Sequence, residues 1–334
     1  MNPDTLTTTA AAMMAPGKGL LAMDESTGTI SKRFAAHGIP QTEAMRRAWR
    51  EVLADAPGLG DAISGAILYD ETIRQSTADG RRFVQVLQDA GIVPGIKVDQ
   101  GTVDLAGHPD ETITEGLDGL GPRLLEYAKL GARFAKWRAV IHIGNQMPSR
   151  AAIEANAHAL ARYAALCQAA ALVPIVEPEV LMDGSHTLAR CEAVTTDVLH
   201  AVFEQLQRQG VLLEGMVLKP NMVVPGLQGT DCDAVDAAAD ATVRCLRRSV
   251  PAAVAGIAFL SGGQSADIAT ARLKAMHVRH PSARARCPWP LTFSFGRALQ
   301  DDALAAWAGD DAKRDAARQA LLQRARNNGA ALLD

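Results

Sequence analysis

Ala132-Arg-Phe-Ala-Lys-Trp-Arg138 and Leu172-Val-Pro-Ile-Val-Glu-Pro-Glu179 are two short, strand-like runs that flank a helical pattern. Pro148-Ser149 between them is a helix start signal. Apolar residues then recur at intervals of four and three, as one stripe on a helix: Ile153, Ala157, Leu160, Ala164 and Cys167. The helix is expected to end before Val173-Pro174. A strand, a helix and another strand in this order predict two parallel strands joined by an outer helix.

The same alternation continues along the whole chain. Eight apolar runs are each followed by a helical pattern: 19–24, 62–69, 93–99, 132–138, 172–179, 215–219, 254–260 and 291–295. Alternation without a change in composition predicts a parallel sheet with helices outside, and eight units favour a closed (β/α)8 TIM barrel over an open sheet. We therefore predict a single α/β domain over 1–334. Residues 1–16 are interpreted as a loose or helical lead-in, and 300–328 as a closing helical region that stops near Asn327-Asn328-Gly329.

The composition is that of an ordinary globular chain of 334 residues, with 48% hydrophobic residues and a mean hydropathy of +0.01. A net charge of -3 gives no reason to expect nucleic acid or an anionic membrane as a partner. The longest apolar runs have the length of buried strands, and the N-terminus lacks the basic-then-apolar layout of a signal peptide. These features predict a cytoplasmic protein.

The cysteine and histidine patterns do not indicate a metal or a disulfide framework. The five cysteines are scattered and have no Cys-x-x-Cys spacing: Cys167, Cys191, Cys232, Cys245 and Cys287. His277 and His280 lie three apart in a predicted helix end and fit a solvated helix terminus better than a metal site. We expect no metal and no cofactor.

Charged side chains lie inside the strand-like runs. Three pairs are spaced two apart, which places both members on one face of a strand: Lys97/Asp99, Lys136/Arg138 and Glu177/Glu179. Their apolar neighbours would face the helices, so each pair should point into the barrel near a strand end, where barrel enzymes hold their catalytic groups. One such pair could be a structural salt bridge. Three pairs together with Asp24 and Lys219 indicate a function, since burying so many ions is costly.

Lys219 is the only charged residue in the second half of the apolar run Glu214-Gly-Met-Val-Leu-Lys-Pro-Asn-Met-Val223. Burial there should lower its pKa and supply a neutral amine, as a Schiff-base nucleophile requires. The alternative is a lysine that only pairs with a buried carboxylate. The chain has eight lysines and twenty-six arginines, and three of the lysines lie in strand-like runs: Lys97, Lys136 and Lys219. This usage favours amine chemistry, because a guanidinium does not lose its proton.

Two glycine-containing turns suggest phosphate binding. Ser261-Gly-Gly-Gln-Ser265 follows the seventh run, and Ser294-Phe-Gly-Arg297 lies at the end of the eighth. Both offer backbone N–H groups, and the second adds a guanidinium. Barrel enzymes often bind phosphate at these two loops. Lys97 and Arg138, across the barrel, could hold a second anion, which implies a substrate with a phosphate at either end.

Seven motifs resemble, in order and spacing, those of the class I fructose-bisphosphate aldolases, from about Gly17 to Trp307. They are Leu20-Leu-Ala-Met-Asp-Glu-Ser-Thr-Gly28, Gly95-Ile-Lys-Val-Asp99, Phe134-Ala-Lys-Trp-Arg138, Val173-Pro-Ile-Val-Glu-Pro-Glu179, Leu218-Lys-Pro-Asn-Met222, Phe259-Leu-Ser-Gly-Gly-Gln-Ser265 and Leu291-Thr-Phe-Ser-Phe-Gly-Arg-Ala-Leu-Gln300. The resemblance implies a (β/α)8 barrel, commonly a homotetramer, and a metal-independent glycolytic lyase. Such an enzyme reversibly cleaves fructose 1,6-bisphosphate to dihydroxyacetone phosphate and glyceraldehyde 3-phosphate.

The resemblance also implies a role for each matching residue. Lys219 would form the Schiff base, and Glu177 would act as acid and base in the loss of water from the carbinolamine. Lys136 and Glu179 would tune charge and orientation beside it, and Asp24 would take the proton from the carbon-4 hydroxyl. The remaining residues match the family's two phosphate sites: Ser26, Thr29, Lys97 and Arg138 for carbon 6, and Arg33, Ser261, Gly262, Gly296 and Arg297 for carbon 1.

The sequence leaves two other functions open. One is a Schiff-base lyase or transferase that acts on a different sugar phosphate. The other is an idle scaffold that binds a partner such as a cytoskeletal protein, which the complete set Asp24, Lys136, Glu177 and Lys219 argues against. Animal members of the family extend into a mobile tail ending in tyrosine, whereas this sequence ends at Ala330-Ala-Leu-Leu-Asp334. We therefore expect enamine protonation to be slower or to use another group, and the preference between fructose 1,6-bisphosphate and fructose 1-phosphate stays open.

Overall fold

A computed structural model of the protein has eight parallel strands that close into a barrel. The structure describes residues 3–229, 234–280 and 287–333. Cys232 lies outside these residues, and the other four cysteines are buried free thiols. In the described part of the chain, no helix is long and apolar enough to cross a membrane.

Each of the eight predicted runs overlaps one strand of the barrel, so the predicted fold is confirmed, although two strands extend beyond their runs, to Ile141 and Val180. The strands are β1 Gly19–Ala22, β2 Ile63–Leu68, β3 Val93–Lys97, β4 Phe134–Ile141, β5 Val173–Val180, β6 Val217–Leu218, β7 Gly256–Phe259 and β8 Leu291–Phe295. Each strand pairs with the next in the chain, and β8 closes the barrel on β1 in the register Leu20↔Ser294. A short antiparallel hairpin, Thr102–Asp104 with Thr112–Thr114, follows β3.

Helices surround the barrel and occupy most of the connections. They are α1 Pro3–Met13, α2 Thr27–Ala36, α3 Glu43–Ala54, α4 Asp70–Arg74, α5 Phe83–Asp89, α6 Leu120–Leu130, α7 Arg150–Ala169, α8 Leu188–Arg208, α9 Val235–Ser249, α10 Ala266–Arg279, α11 Arg297–Trp307 and α12 Arg314–Ala330. Short 3-10 turns lie at Leu59–Asp61, Leu213–Gly215 and Asp311–Lys313.

Helix α7 confirms the pattern read between the fourth and fifth runs. The Ser149 hydroxyl accepts a hydrogen bond from the Ala152 N–H and caps the helix, and every residue of the predicted stripe is buried. The predicted closing region consists of two helices, α11 and α12. Helix α11 ends before Ala308 and Gly309. The φ angles of these two residues, 46° and 78°, are left-handed and cannot continue a right-handed helix.

The lead-in is helix α1, which closes the N-terminal end of the barrel. Its buried residues pack on side chains from the strand starts, in one cluster that includes Leu6, Ala10, Met13, Leu20, Phe134, Val173 and Val217. The barrel interior is tightly filled: a Cβ atom placed at Gly95 would come within 2.2 Å of the Phe134 ring. This apolar plug occupies the N-terminal end, and the charged side chains inside the barrel lie beyond it, around the cavity at the C-terminal ends of the strands.

Candidate active site

A cavity of about 1110 Å³ opens at the C-terminal ends of the barrel strands. All the site residues predicted from the sequence line it: Asp24, Ser26, Thr29, Arg33, Lys97, Lys136, Arg138, Glu177, Glu179, Lys219, Ser261, Gly262, Gly296 and Arg297. They come from strands or loops on every side of the barrel. Strand alternation therefore pointed each charged pair in the predicted direction.

Lys219 directly follows strand β6, and its backbone N–H donates to the Val176 carbonyl at 2.8 Å. The residue is 4% exposed. Its Nζ lies 3.3 Å from Glu177 Oε1, which is its one ion pair among the described residues. Lys219 therefore fits both interpretations of the sequence, a Schiff-base nucleophile and a lysine paired with a buried carboxylate. Its amine is buried, and its carboxylate partner is itself a candidate acid and base.

Lys136 lies at the centre of the buried charges. Its Nζ is 2.7 Å from Asp24 Oδ2, 3.6 Å from Glu177 Oε2 and 3.9 Å from Asp99 Oδ2. Burial alone would lower the pKa of Lys136, but these carboxylates outweigh it and hold that pKa well above its ordinary value. Lys136 is therefore an ammonium at neutral pH.

Asp24, at the end of strand β1, is the closest partner of that ammonium. Burial acts to raise its pKa, but Lys136 and then Lys219 reverse the effect, and the pKa lies below the ordinary value of 3.8. Asp24 is thus a carboxylate at neutral pH although it is almost fully buried. It can accept a proton or a hydrogen bond from a ligand hydroxyl.

Both carboxylate oxygens of Glu177 lie near a lysine, but one of them makes no hydrogen bond among the described residues. Oε1 faces Lys219, whereas Oε2 is buried and has no hydrogen-bond partner in the part of the chain that the structure describes. The hydroxyl of Ser294, on strand β8, is a second buried oxygen without a described partner, and it lines the same cavity. Such atoms are costly unless a ligand or water satisfies them. The sequence identified Ser294 only as the start of a turn, although its position two residues after Thr292 on a strand gave its direction.

The Asp99 carboxylate accepts more hydrogen bonds than the sequence suggested. Its Oδ1 is 2.5 Å from Lys97 Nζ and accepts the Gly101 N–H at 3.3 Å, while its Oδ2 accepts the Arg138 N–H at 3.3 Å. The carboxylate therefore joins strands β3 and β4 and fixes the Lys97 ammonium. Sequence spacing showed that Asp99 points inward but not that it is shared by so many donors.

Arg138 and Glu179 form an ion pair through Arg138 Nε and Glu179 Oε2. Burial acts to lower the pKa of Arg138, but Glu179 raises it further above its ordinary value. The resemblance implied that Lys136 and Glu179 lie beside Glu177. Lys136 Nζ is 3.6 Å from Glu177 Oε2, and the described ion pair of Glu179 goes to Arg138. Glu179 thus acts on the site chiefly through Arg138.

The loop after strand β1 brings Ser26 to the cavity, and helix α2 brings Thr29 and Arg33. Ser26 caps helix α2, with its hydroxyl 3.3 Å from the Thr29 N–H and 3.0 Å from the Thr29 hydroxyl. Arg33 is already occupied: its guanidinium bonds to Glu25, to Gln300 at 3.0 Å and to Asp301 at 2.9 Å. A phosphate would have to share or replace one of these partners.

The two glycine-containing turns meet on the far side of the cavity. Gly262 and Gly263 have φ angles of +58° and +90°, which L side chains rarely adopt, and a Cβ at Gly263 would lie 3.5 Å from an Arg297 nitrogen. Arg297 is exposed and makes no hydrogen bond or ion pair in the described chain. Its guanidinium is therefore available to an anion, with the N-termini of α10 and α11 close in sequence to the two turns.

His277 and His280 are occupied at the end of helix α10. The ring nitrogens of His277 lie 2.9 Å and 3.2 Å from the carbonyls of Leu273 and Leu291. His280 Nε2 lies 2.8 Å from Asp240. These contacts agree with the interpretation of this segment as a helix terminus.

Known proteins resemble this chain along its full length. The family model for class I fructose-bisphosphate aldolase matches residues 5–334. A protein of Xanthomonas campestris pv. campestris named probable fructose-bisphosphate aldolase class 1 is 54% identical over 334 residues, which is all of this chain and 98% of that protein. The cytosolic fructose-bisphosphate aldolase 4 of Arabidopsis thaliana is 52% identical, with 97% of this chain and 81% of that protein covered.

A solved structure is similar as well. It is a ternary complex of fructose-bisphosphate aldolase from Plasmodium falciparum with TRAP and a small-molecule inhibitor. The TM-score is 0.96 at 47% sequence identity, and the match covers 99% of this chain and 94% of that chain.

Lys136→Met keeps the length of the side chain and removes the ammonium between the buried carboxylates. Breaking a buried ion pair costs about 3–5 kcal/mol, and we expect this loss in the free energy of unfolding at pH 7. Asp24 then has no ammonium at 2.7 Å, so the pKa of Asp24 should rise. Protonation of Asp24 at lower pH should then remove part of the stability loss, because it neutralises the unpaired buried carboxylate. The penalty relative to wild type should therefore be smaller at pH 5 than at pH 7.

Urea unfolding of both proteins at the two pH values measures this difference. Lys313→Met is the matched control, because Lys313 pairs with Asp310 at 3.7 Å on the surface and should contribute less than about 1 kcal/mol. The wild-type Asp24 pKa lies below 3.8, so its own contribution to stability is complete above that pH and is lost only on further acidification. An equal penalty at pH 5 and pH 7 would contradict the assigned role of Lys136.

Proposed function

The chain belongs to the class I fructose-bisphosphate aldolase family, and we propose that Lys219 is the residue that forms its Schiff base. Enzymes of this class, and so this chain, reversibly cleave fructose 1,6-bisphosphate to dihydroxyacetone phosphate and glyceraldehyde 3-phosphate through a lysine Schiff base. The observation that carries the assignment is the buried Lys219 Nζ at 3.3 Å from Glu177 Oε1. Of the inward-pointing lysines, Lys136 is held as an ammonium by its carboxylates, and Lys97 is bonded to Asp99 at 2.5 Å.

The first steps form the imine. The neutral amine of Lys219 attacks carbon 2 of the open-chain sugar, and the carbonyl oxygen becomes the hydroxyl of a carbinolamine. Glu177 accepts a proton when the Lys219 ammonium becomes the neutral amine, and it then donates that proton to the hydroxyl. The hydroxyl leaves as water while the nitrogen lone pair forms the C=N bond. We assign this proton transfer to Glu177 Oε2, which lies 3.6 Å from Lys136 Nζ and makes no hydrogen bond among the described residues. The product is a cationic imine.

The cleavage step uses that cation as an electron acceptor. Asp24 removes the proton from the carbon-4 hydroxyl, the carbon-3 to carbon-4 bond breaks, and its electron pair moves into the imine to give an enamine. Glyceraldehyde 3-phosphate leaves as the aldehyde. Lys136 keeps Asp24 ionised for this step, and its own positive charge remains fixed throughout. Protonation and hydrolysis of the enamine then release dihydroxyacetone phosphate and restore Lys219.

The two phosphates would bind on opposite sides of the cavity. We assign the carbon-1 phosphate to Ser261, Gly262, Gly296 and Arg297, with Arg33 contributing its charge, because the turns and the free guanidinium meet there. We assign the carbon-6 phosphate to the other side, formed by Ser26, Thr29, Lys97 and Arg138. In this assignment, a sugar that spans both sides would present its carbon 2 to Lys219, which lines the same cavity.

We also propose that the protein is a cytoplasmic homotetramer. The Arabidopsis relative is named as a cytosolic enzyme, and the family to which the sequence is similar commonly forms tetramers. Sedimentation equilibrium measures the state directly, and a mass equal to one chain at micromolar concentration would contradict it.

Borohydride reduction in the presence of dihydroxyacetone phosphate should trap a covalent adduct on Lys219, located by peptide mapping. Lys219→Arg keeps the charge but has no amine to react, so it should give no adduct and no cleavage. Glu177→Gln should still form the adduct at Lys219, with a rate lower by about 10²–10⁴-fold because proton transfer to the leaving hydroxyl is lost. An adduct on any other lysine would overturn the assignment.

The two phosphate sites can be separated in the direction of synthesis, where the substrates are two molecules. Arg297→Gln should raise KM for dihydroxyacetone phosphate, and Lys97→Met should raise KM for glyceraldehyde 3-phosphate. Each effect should be about 10- to 100-fold, the value of a hydrogen bond to a charged group. The KM of the other substrate should stay near that of the wild type. The reverse pairing of variants and substrates would exchange the two assignments.

A further inference from the structure

A buried arginine lies behind the Ser261-Gly-Gly-Gln turn, outside the lining of the cavity. Arg272 belongs to helix α10 and is 0% exposed. Arginine is almost never fully buried unless its guanidinium is hydrogen-bonded. Its bonding partners therefore show what it holds in place.

One side of the Arg272 guanidinium holds the turn. Its Nη1 donates to Gln264 Oε1 at 2.6 Å. The amide of the same side chain, Gln264 Nε2, donates to the Ser261 carbonyl at 3.0 Å, and the Gln264 backbone N–H lies 3.0 Å from that carbonyl too. Arg272 thus fixes the side chain that closes the turn on itself.

The other side of the guanidinium reaches the next barrel unit. Nε and Nη2 each lie 3.3 Å from the Ala234 carbonyl, which immediately precedes helix α9. Helix α9 is the helix that follows strand β6 and Lys219. One planar group therefore ties the turn after β7 to the unit that carries the candidate nucleophile. A lysine cannot do this, since it lacks the fixed fork of donors.

The chemistry explains why this connection matters. The carbon-1 phosphate and carbon 2 belong to adjacent carbons of one substrate, so the phosphate turn must keep a constant distance from Lys219. The turn itself is poorly suited to hold its own position, because Gly262 and Gly263 have no side chains and adopt left-handed backbone angles of +58° and +90°. Its order must come from the contacts behind it.

We propose that Arg272 is a positioning residue for the carbon-1 phosphate and acts through Gln264. This inference rests on the proposed assignment of the Ser261-Gly-Gly-Gln turn to that phosphate. It predicts that loss of the Arg272–Gln264 contact weakens ligands that carry the phosphate and spares those that lack it.

The test measures borohydride trapping on the full-length enzyme at increasing concentrations of dihydroxyacetone phosphate or of dihydroxyacetone, which has no phosphate. In Arg272→Lys, the half-saturating concentration of dihydroxyacetone phosphate should rise about tenfold. The value for dihydroxyacetone should stay within about twofold of that of the wild type, because its carbon 2 still reaches Lys219. A purely structural role would change both ligands together or neither.

Gln264→Ala breaks the same contact from the turn and keeps the buried arginine, so it decides the question if Arg272→Lys does not fold. It should reproduce the selective tenfold effect, and the double variant should lose little more than either single variant, since the two residues act as one unit. Arg279→Lys is the matched control on the same helix, because Arg279 pairs with Asp236 and Asp240 on the surface and should leave both values unchanged.

The outcomes separate the inference from the proposed function. No adduct on wild-type Lys219, or an unchanged response to dihydroxyacetone phosphate in Arg297→Gln, would mean that the proposed site is wrong. With those two results as expected, equal shifts for the two ligands in Gln264→Ala, or no shift for either, would overturn the positioning role of Arg272.

Discussion

The ammonium of Lys136 among the carboxylates of Asp24, Glu177 and Asp99 is the interaction on which the site depends. Each of these groups is almost fully buried, and none would stay charged there alone. Their mutual neutralisation lets the ions that follow strands β1 and β3 lie beside the ions within strands β4 and β5. It also supports the proposed roles, since a lysine held permanently as a cation is unsuited to attack a carbonyl group. Lys219, the amine with fewer carboxylates around it, is the one proposed for that reaction.

The scaffold separates this polar cluster from an apolar plug in the same barrel. Helix α1 and the Phe134 ring fill the N-terminal end, and the side chains of the same strands alternate between that interior and the helices. Polar groups therefore gather at the C-terminal end, where helix N-termini and glycine turns also lie. Because the strands are rigid and tightly packed, the carboxylates and amines are held in position before any ligand binds. This preorganisation is what a reaction with changing charge requires.

Spacing along the chain was enough to predict the barrel and the direction of the site residues. The runs at 93–99, 132–138 and 172–179 each coincide with a strand. Their charged side chains are two residues apart, so they lie on one face of the strand and point toward one cavity. Partners were harder to predict, because strand alternation gives the face of a side chain and not its neighbour across the barrel. The resemblance implied that Glu179 acts beside Glu177, but its ion pair with Arg138 was not predicted. Two other contacts also join segments that are far apart in the sequence, Arg33 with Gln300 and Arg272 with Ala234. No local sequence pattern predicts such contacts.

The two proposed phosphate sites differ in the partners that their cations already have. Lys97 and Arg138 each carry an internal carboxylate, Asp99 and Glu179 respectively, so a phosphate there must share its cation. On the other side of the cavity, Arg297 has no described partner, and its guanidinium lies next to the glycine turn at Gly263. The carbon-1 phosphate should therefore be held more tightly than the carbon-6 phosphate. That order suits the reaction, because the carbon-6 fragment leaves first as an aldehyde while the carbon-1 fragment remains on Lys219 as an enamine and must stay aligned until it is protonated and hydrolysed.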